Sequence, residues 1–179
     1  GGVGGSMTAR LATPLVASVV LALTVAACTD RPRPRRPGED WVASIRVVGN
    51  EEISEGALLD GLALRRAQER GFPPDPYQVQ LDAERIRGTY LRRGFFAVDV
   101  TSRIERDGDA VRITYQVVEG ARARTRVVIS GLPDDPAISV AAVRAALPLE
   151  DGAPFVYEVY DEAKDELQAI VEDAGYSHV

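Results

Sequence analysis

The chain has 179 residues, 45% hydrophobic and 27% charged, the composition of globular material sufficient for one or two small domains rather than of a disordered polymer. A formal net charge of −6 leaves no basic footprint for nucleic acid, and the four arginines that do cluster lie in a proline-rich tract. The single cysteine excludes an internal disulfide and a cysteine-rich zinc site, and the single histidine, His178, stands at the penultimate position, so metal catalysis lacks its usual ligands.

Gly1 to Ser6 precede Met7 and read as a reading-frame or expression extension, with Met7 as the start. Arg10 and then the apolar run Leu11 to Cys28 have the n-region and h-region of a secretory signal. Its end, Val25-Ala26-Ala27-Cys28, resembles a bacterial lipobox, in which a cysteine after small residues is diacylated and becomes the mature N-terminus. That resemblance implies lipidation at Cys28 and a place on the periplasmic side of a double-membraned bacterium. Asp30 at the third mature position, not the second, favours sorting to the outer membrane. The competing reading is an uncleaved signal anchor, because the 18 residues of the run just span a bilayer. Residues 29–40, "TDRPRPRRPGED", carry Pro32, Pro34 and Pro37 and read as an extended, solvated tether. Arg31, Arg33, Arg35 and Arg36 within it are placed to touch anionic head groups.

Trp41 to Val48 form a strand with Ala43, Ile45 and Val47 on one face, closed by Gly49 and Asn50. Ser54 opens a short helix in which Ile53, Ala57, Leu58 and Leu62 fall at helical spacing, weakened by Gly56 and Gly61. "RRAQERGFPPDPY" then reads as a polar, proline-broken connection. Asp75 is an N-cap, Pro76 suits the first helical position and Gln78 has the capping-box place, so a second helix starts there. It buries Val79, Ala83, Ile86 and Tyr90, turns Asp82, Glu84, Arg85 and Arg87 to water, and ends at Gly94. Within "TYLRRGFFAVDV" the rhythm changes from helical to alternating across that glycine. Phe96, Val98, Val100 and Ile104 then take one face of a strand, and Asp99, Thr101, Arg103 and Glu105 the other. A type I′ turn at Asp107-Gly108 pairs Ile104 with Val111, Val100 with Tyr115 and Val98 with Val117.

Residues 41–120 are thus one strand-helix-helix-strand-strand unit, three strands with two helices on one face. The pattern restarts at 121. "RVVISG" echoes "RVVGN", and a shift of 81 positions lays Val79 on Tyr160, Ile86 on Leu167, Tyr90 on Val171, Gly94 on Gly175 and Phe95 on Tyr176. Such self-similarity marks a repeat. Ile138, Ala142, Ala145 and Leu147 supply its first helix and Tyr157 to Ala174 its second. The sequence reaches "GYSHV" where two strands should begin, so the second unit, 121–179, is expected to be incomplete and the sequence a fragment. Residues 1–28 are the signal segment and 29–40 the tether.

At "IRVVGN", "TYLRRGFFAVDV" and "YQVVEGARARTRVVISG" the chain resembles the POTRA domains of the Omp85 superfamily, which assembles and translocates outer-membrane proteins. The resemblance implies an α+β fold of tandem β-α-α-β-β repeats with strand order 1-3-2, no enzymatic activity, no cofactor and a location at the outer membrane's periplasmic face. It implies partners among unfolded outer-membrane polypeptides or assembly-complex subunits, and a transmembrane barrel beyond the repeats. A stand-alone lipidated adaptor and an inner-membrane division-type POTRA protein are the alternatives. The strand from Phe95 to Glu105 would then be an edge, and Phe95, Phe96, Val98, Val100, Ser102 and Ile104 would hold an extended client by strand addition. Equally, Asp99, Thr101, Arg103 and Glu105 would serve only to block aggregation. The carboxylates of "YDEAKDELQAIVED" beside Lys164 read as a solvated helix face, and Ser54, Ser102 and Ser177 have no histidine placed to activate them.

Overall fold

The computed structural model describes residues 1–2, 33–135 and 138–176. The signal run and Cys28 lie outside them. Among the described residues no helix is long and apolar enough to cross a membrane.

Strand β1 (Trp41–Val48) pairs in parallel with β3 (Ala110–Val118), which pairs antiparallel with β2 (Asp99–Asp107), so the sheet order is β1-β3-β2. The central strand carries Val111, Ile113, Tyr115 and Val117, all buried, on one face. Its partner β1 departs from strict alternation. The register slips between Val42 and Ser44, a bulge that lets Val42 and then Ile45 and Val47 point inward, because one extra residue inverts the facing of everything before it. Ala43, expected inward, is the inserted residue and is only half-buried.

Three helices cover that face, not two. Helix α1 (Glu55–Leu59) is capped as expected by Ser54, whose Oγ accepts the Ala57 N–H, but it buries Leu58 and Leu59 and leaves Ala57 exposed. Helix α2 (Ala63–Arg70) occupies what reads in sequence as a polar connection. Its N-cap residue, Leu62, has no side chain able to cap. The amides of Ala63 and Leu64, which would otherwise be orphaned, donate instead to Asp82 Oδ1 and Oδ2, each at 2.9 Å. Asp82 comes from α3 (Pro76–Arg92) and also bonds Arg85. It is 0% exposed, the reverse of the solvent-facing place its helical position suggests. Asp75 and Pro76 start α3 as expected, with Asp75 accepting the Tyr77 N–H.

Past Gly94 (φ +88°) the chain makes a turn before it becomes a strand. Phe95 N–H donates to Tyr90 O at 3.1 Å and Val98 N–H to Phe95 O at 3.2 Å. Phe95 and Val98 are buried turn anchors, Phe96 is exposed, and none of the three is in a strand, since β2 starts at Asp99. The hairpin loop is Gly108-Asp109, closed by Asp107 and Ala110, so Val100 faces Val117, Ser102 faces Tyr115 and Ile104 faces Ile113. Moving the loop by one residue changes each partner by two and keeps every side chain on its expected face. Only the first loop residue, Gly108, has positive φ, which is the type II′ rather than the type I′ pattern.

Residues 121–176 hold helices α4 (Val140–Ala146) and α5 (Tyr157–Asp173). The strand expected at 126–131 is absent: an isolated bridge of Arg124 with Pro154 lies just before the stretch, and the stretch itself is held through Val127 by side chains. Val127 N–H donates to Asp151 at 2.7 Å and Arg144 to Val127 O at 3.2 Å. Ile138 and Val143 are buried around α4, whereas Ala142 and Ala145 are exposed. Of the expected tether, residues 33–40 are described: Pro34 to Gly38 are exposed, as a solvated spacer would be, and Arg33, Glu39 and Asp40 are half-buried where the segment touches the domain.

Candidate functional site

The two outer strands of the sheet are not equivalent as edges. On β1, the Val47 N–H donates to Glu55 Oε1 at 3.0 Å, Arg46 Nε bonds the same oxygen at 3.0 Å, and Gln68 Nε2 donates to Ala43 O at 3.2 Å. The Val47 amide, aided by Arg46, holds the Glu55 carboxyl below its ordinary range. Helices α1 and α2 thus occupy the Val47 amide and the Ala43 carbonyl of this edge with side chains.

Among the described residues, β2 has no such cover. The two-residue loop closes on Asp107 and Ala110, and hydrogen-bonded pairs alternate from there. Asp107, Glu105, Arg103, Thr101 and Asp99 therefore direct their amides and carbonyls at β3. Those of Val100, Ser102, Ile104 and Arg106 point away from the sheet. Beside them runs a groove of about 420 Å³ between α3 and β2, lined by Tyr77, Gln80, Leu81, Ala83, Glu84, Val100 and Ser102. Tyr77 is 64% exposed, and Leu81 and Ile104 are also exposed. A strand added to β2 would hydrogen-bond the outward groups and lay alternate side chains over this groove. On the opposite face Arg103 and Glu105 pair at 2.9 Å in water.

Of the six edge residues expected from sequence, Val100, Ser102 and Ile104 are brought together on the edge. Phe95 and Val98 are in the core, and Phe96 lies 5.2 Å from the ring of Phe155. The groove wall on α3 escapes a reading by periodicity, although a tyrosine at the second position of a helix, outside its apolar stripe, is a usable signal.

The motif residues gather elsewhere, in a knot at the far end of the sheet. Glu119 Oε1 accepts from Tyr90 Oη at 2.7 Å and from the amides of Glu51 and Glu52 at 2.8 and 2.9 Å. Gly49 (φ +79°) allows this turn: a Cβ there would meet Val117 O at 2.2 Å. Gly94 is also packed closely, a Cβ there meeting Phe155 O at 2.9 Å, and its carbonyl accepts the Ala123 N–H at 2.8 Å. Burial first, then the bond to Glu119, pushes the Tyr90 hydroxyl pKa up. These residues hold the loops; none lines the β2 groove.

A family model described as "POTRA: Surface antigen variable number repeat" matches residues 42–120, the span of this sheet and its three helices. Residues 42–120 are a POTRA domain. No curated protein sequence matches the chain. Among solved structures, the chain is similar to POTRA domains 3–5 of Haemophilus influenzae BamA, at 18% identity and TM-score 0.45, over 77% of this chain and 51% of that one. It is similar to POTRA domains 1–2 of the periplasmic domain of Omp85 from Anabaena, at 20% identity and TM-score 0.44, over 77% and 80%. For POTRA domains 1–3 of the same protein the values are 21% and 0.47, over 77% and 51%. The chain therefore spans about half the length of the three-domain structures. In the POTRA domain of this chain, the β2 edge beside the α3 groove presents outward main-chain groups, those of Val100, Ser102, Ile104 and Arg106, that bond to nothing among the described residues.

Proposed function

We propose that this POTRA domain belongs to the periplasmic part of an outer-membrane protein assembly or translocation factor and binds extended client or partner polypeptides by strand addition to β2. The role is one of binding, not catalysis. The observation that carries the reading is the asymmetry of the edges: β1 is bonded by Glu55 and Gln68, while β2 turns the backbone of Val100, Ser102 and Ile104 outward beside an open groove. Its solved neighbours described as periplasmic domains of Omp85 support the compartment. The lipobox-like Val25 to Cys28 supports attachment to the outer membrane through acyl chains, alone or with a barrel beyond the repeats.

Proline scanning of the edge tests the binding mode. Proline at Ser102 or Ile104 removes an outward N–H without removing a ladder bond, the one place in a sheet where proline is tolerated. With a urea-denatured outer-membrane porin as probe, each substitution should weaken binding about five- to tenfold, the value of one main-chain hydrogen bond and its strand geometry. Gln68→Ala, which bares the Ala43 carbonyl on the β1 edge without removing a ladder bond, should leave binding unchanged. Equal binding by folded β2 variants and wild type would remove strand addition from consideration.

A further inference from the structure

Residues 33–40 read in sequence as a solvated spacer, yet although Pro34 to Gly38 are exposed, the segment is bonded to the domain at both of its ends. Arg33 N–H donates to Arg70 O at 2.8 Å, at the C-terminus of α2, where carbonyls lie beyond the helical ladder. The next residue, Gly71, has φ +71°, and a Cβ on it would meet Arg33 O at 2.6 Å. The segment thus rests on bare backbone that only glycine provides. Arg33 Nη2 lies 2.8 Å from both carboxylate oxygens of Glu39, which closes the segment on itself around Gly38 (φ +79°). Gly38 N–H donates to Asp109 Oδ2 at 3.1 Å, Asp40 pairs with Arg106 at 3.4 Å, and the Arg35 guanidinium sits 3.5 Å over the ring of Trp41. Two of the four arginines that could face lipid head groups are therefore engaged with the protein.

We propose that this segment is a strap that docks the POTRA domain close to its membrane anchor, an inference that rests on the reading of Cys28 as an acylated anchor. Arg33 is separated from Cys28 by at most about 18 Å of extended chain. A free polyproline-like spacer would instead carry Trp41 roughly 40 Å from Cys28. The strap bridges the end of α2 and the β2–β3 hairpin, and Trp41 pairs with Ala110 at that same end of the sheet. Ordering eight residues opposes docking with a free energy of the same size as the bonds that favour it. Loss of a few contacts therefore releases the strap as a whole and lengthens the domain's reach.

The chain's single tryptophan gives the readout. The 179-residue chain, acylated in a bacterial host, is reconstituted in vesicles containing dansyl-headgroup lipid, and energy transfer from Trp41 is measured. Asp109→Ala combined with Glu39→Ala should lower transfer at least twofold with an unchanged urea unfolding midpoint, and Arg33→Glu with Glu39→Arg should restore what Arg33→Glu alone removes. Vesicle-bound variants that transfer as the wild type does would overturn the strap. A wild type that carries no acyl mass and does not float with vesicles would overturn the anchor reading and the claim about reach together. Amide exchange separates the two failures: slow exchange at Arg33 and Gly38 that becomes fast in Asp109→Ala supports docking whatever holds the membrane, and equal exchange in both overturns it.

Discussion

Helices α3 and α5 have the same length, 17 residues, lie 81 positions apart, and end on glycines with φ of +88° and +94°. Phe95 N–H bonds Tyr90 O, and Tyr176 N–H bonds Val171 O, each at 3.1 Å. Yet α3 packs on a three-stranded sheet, and α5 accompanies a segment, 126–131, that is spelled like a strand and forms none. A helix closes its hydrogen bonds within itself, whereas a strand requires a second chain segment in register. β1 is a strand because β3 stands beside it. The difference between the two regions separates what local sequence dictates from what needs a distant partner.

One position shows this at atomic scale. Asp82 in α3 and Ala163 in α5 are equivalent under the 81-residue shift and both buried. Asp82 has a helix start to satisfy, whereas the helix before α5, α4, is capped by its own Ser139, which accepts the Ala142 N–H. Asp82→Ala is accordingly expected to be the most damaging change, about 4 kcal/mol, because it orphans the buried Leu64 amide and the part-buried Ala63 amide and removes the partner of Arg85. Asp82→Asn should recover part of that loss. Urea unfolding followed by Trp41 fluorescence measures both. A cost below about 1 kcal/mol would mean that α2 does not depend on this cap.

Gly49 and Gly131 extend the comparison to the turns that follow the two strand-like stretches. Both have positive φ, +79° and +75°, but a Cβ on Gly49 meets Val117 O at 2.2 Å and one on Gly131 meets nothing within 4 Å. Gly49→Ala should cost about 3 kcal/mol from backbone strain and overlap together, and Gly131→Ala about 1 kcal/mol from strain alone. Equal costs would show that the close approach to β3 is relaxed away.

A smaller effect follows from the tyrosines of the POTRA domain. Burial raises the hydroxyl pKa of Tyr115, and burial followed by the bond to Glu119 raises that of Tyr90. The folded state therefore holds these protons after the unfolded state has released them. Stability is full below the ordinary tyrosine pKa, about 10, and falls as pH rises from there toward the folded values. Tyr115→Phe, which loses the bond to Val79 O, should lower stability at neutral pH and flatten the alkaline decline. An unchanged alkaline slope in that variant would assign the decline to other groups.

These contrasts explain what the sequence makes legible. The start of α3 is written in Asp75 and Pro76, its end in Gly94, and the two-faced alternation of β2 and β3 survives even where the turn is displaced by a residue. Each of these signals lies within a few residues of the structure it specifies. α2 is missed because its cap, Asp82, lies 18 residues past Leu64 in α3. The bulge at Ala43 is set by pairing with β3, and Phe95 to Val98 fold as a turn because Tyr90 and the core claim Phe95. The candidate edge is legible in its alternating residues Val100, Ser102 and Ile104, but its groove is not, since Tyr77 and Leu81 meet β2 only through the packing of α3. The strap is hidden for the same reason: prolines and arginines announce an extended segment, not the Arg70 carbonyl and Asp109 carboxylate that receive it.

The smallest expected effect is the sharpest test of the second region. Val127 and Ile129 are half-buried and Val128 is 75% exposed, so the alternation of a strand persists in 126–131 without the ladder of one. In this state Val128→Lys should change stability by no more than about 0.5 kcal/mol, as for other exposed positions, and Ile129→Lys should cost more, because it places a charge on the side facing Leu147 and Leu167. Amide exchange at 128 and 130 should be fast, in contrast to slow exchange at Val47. A Val128→Lys cost above 1 kcal/mol with protected amides would show that this segment is paired in solution. The two regions would then differ in the identity of the pairing strand and no longer in whether a sheet exists.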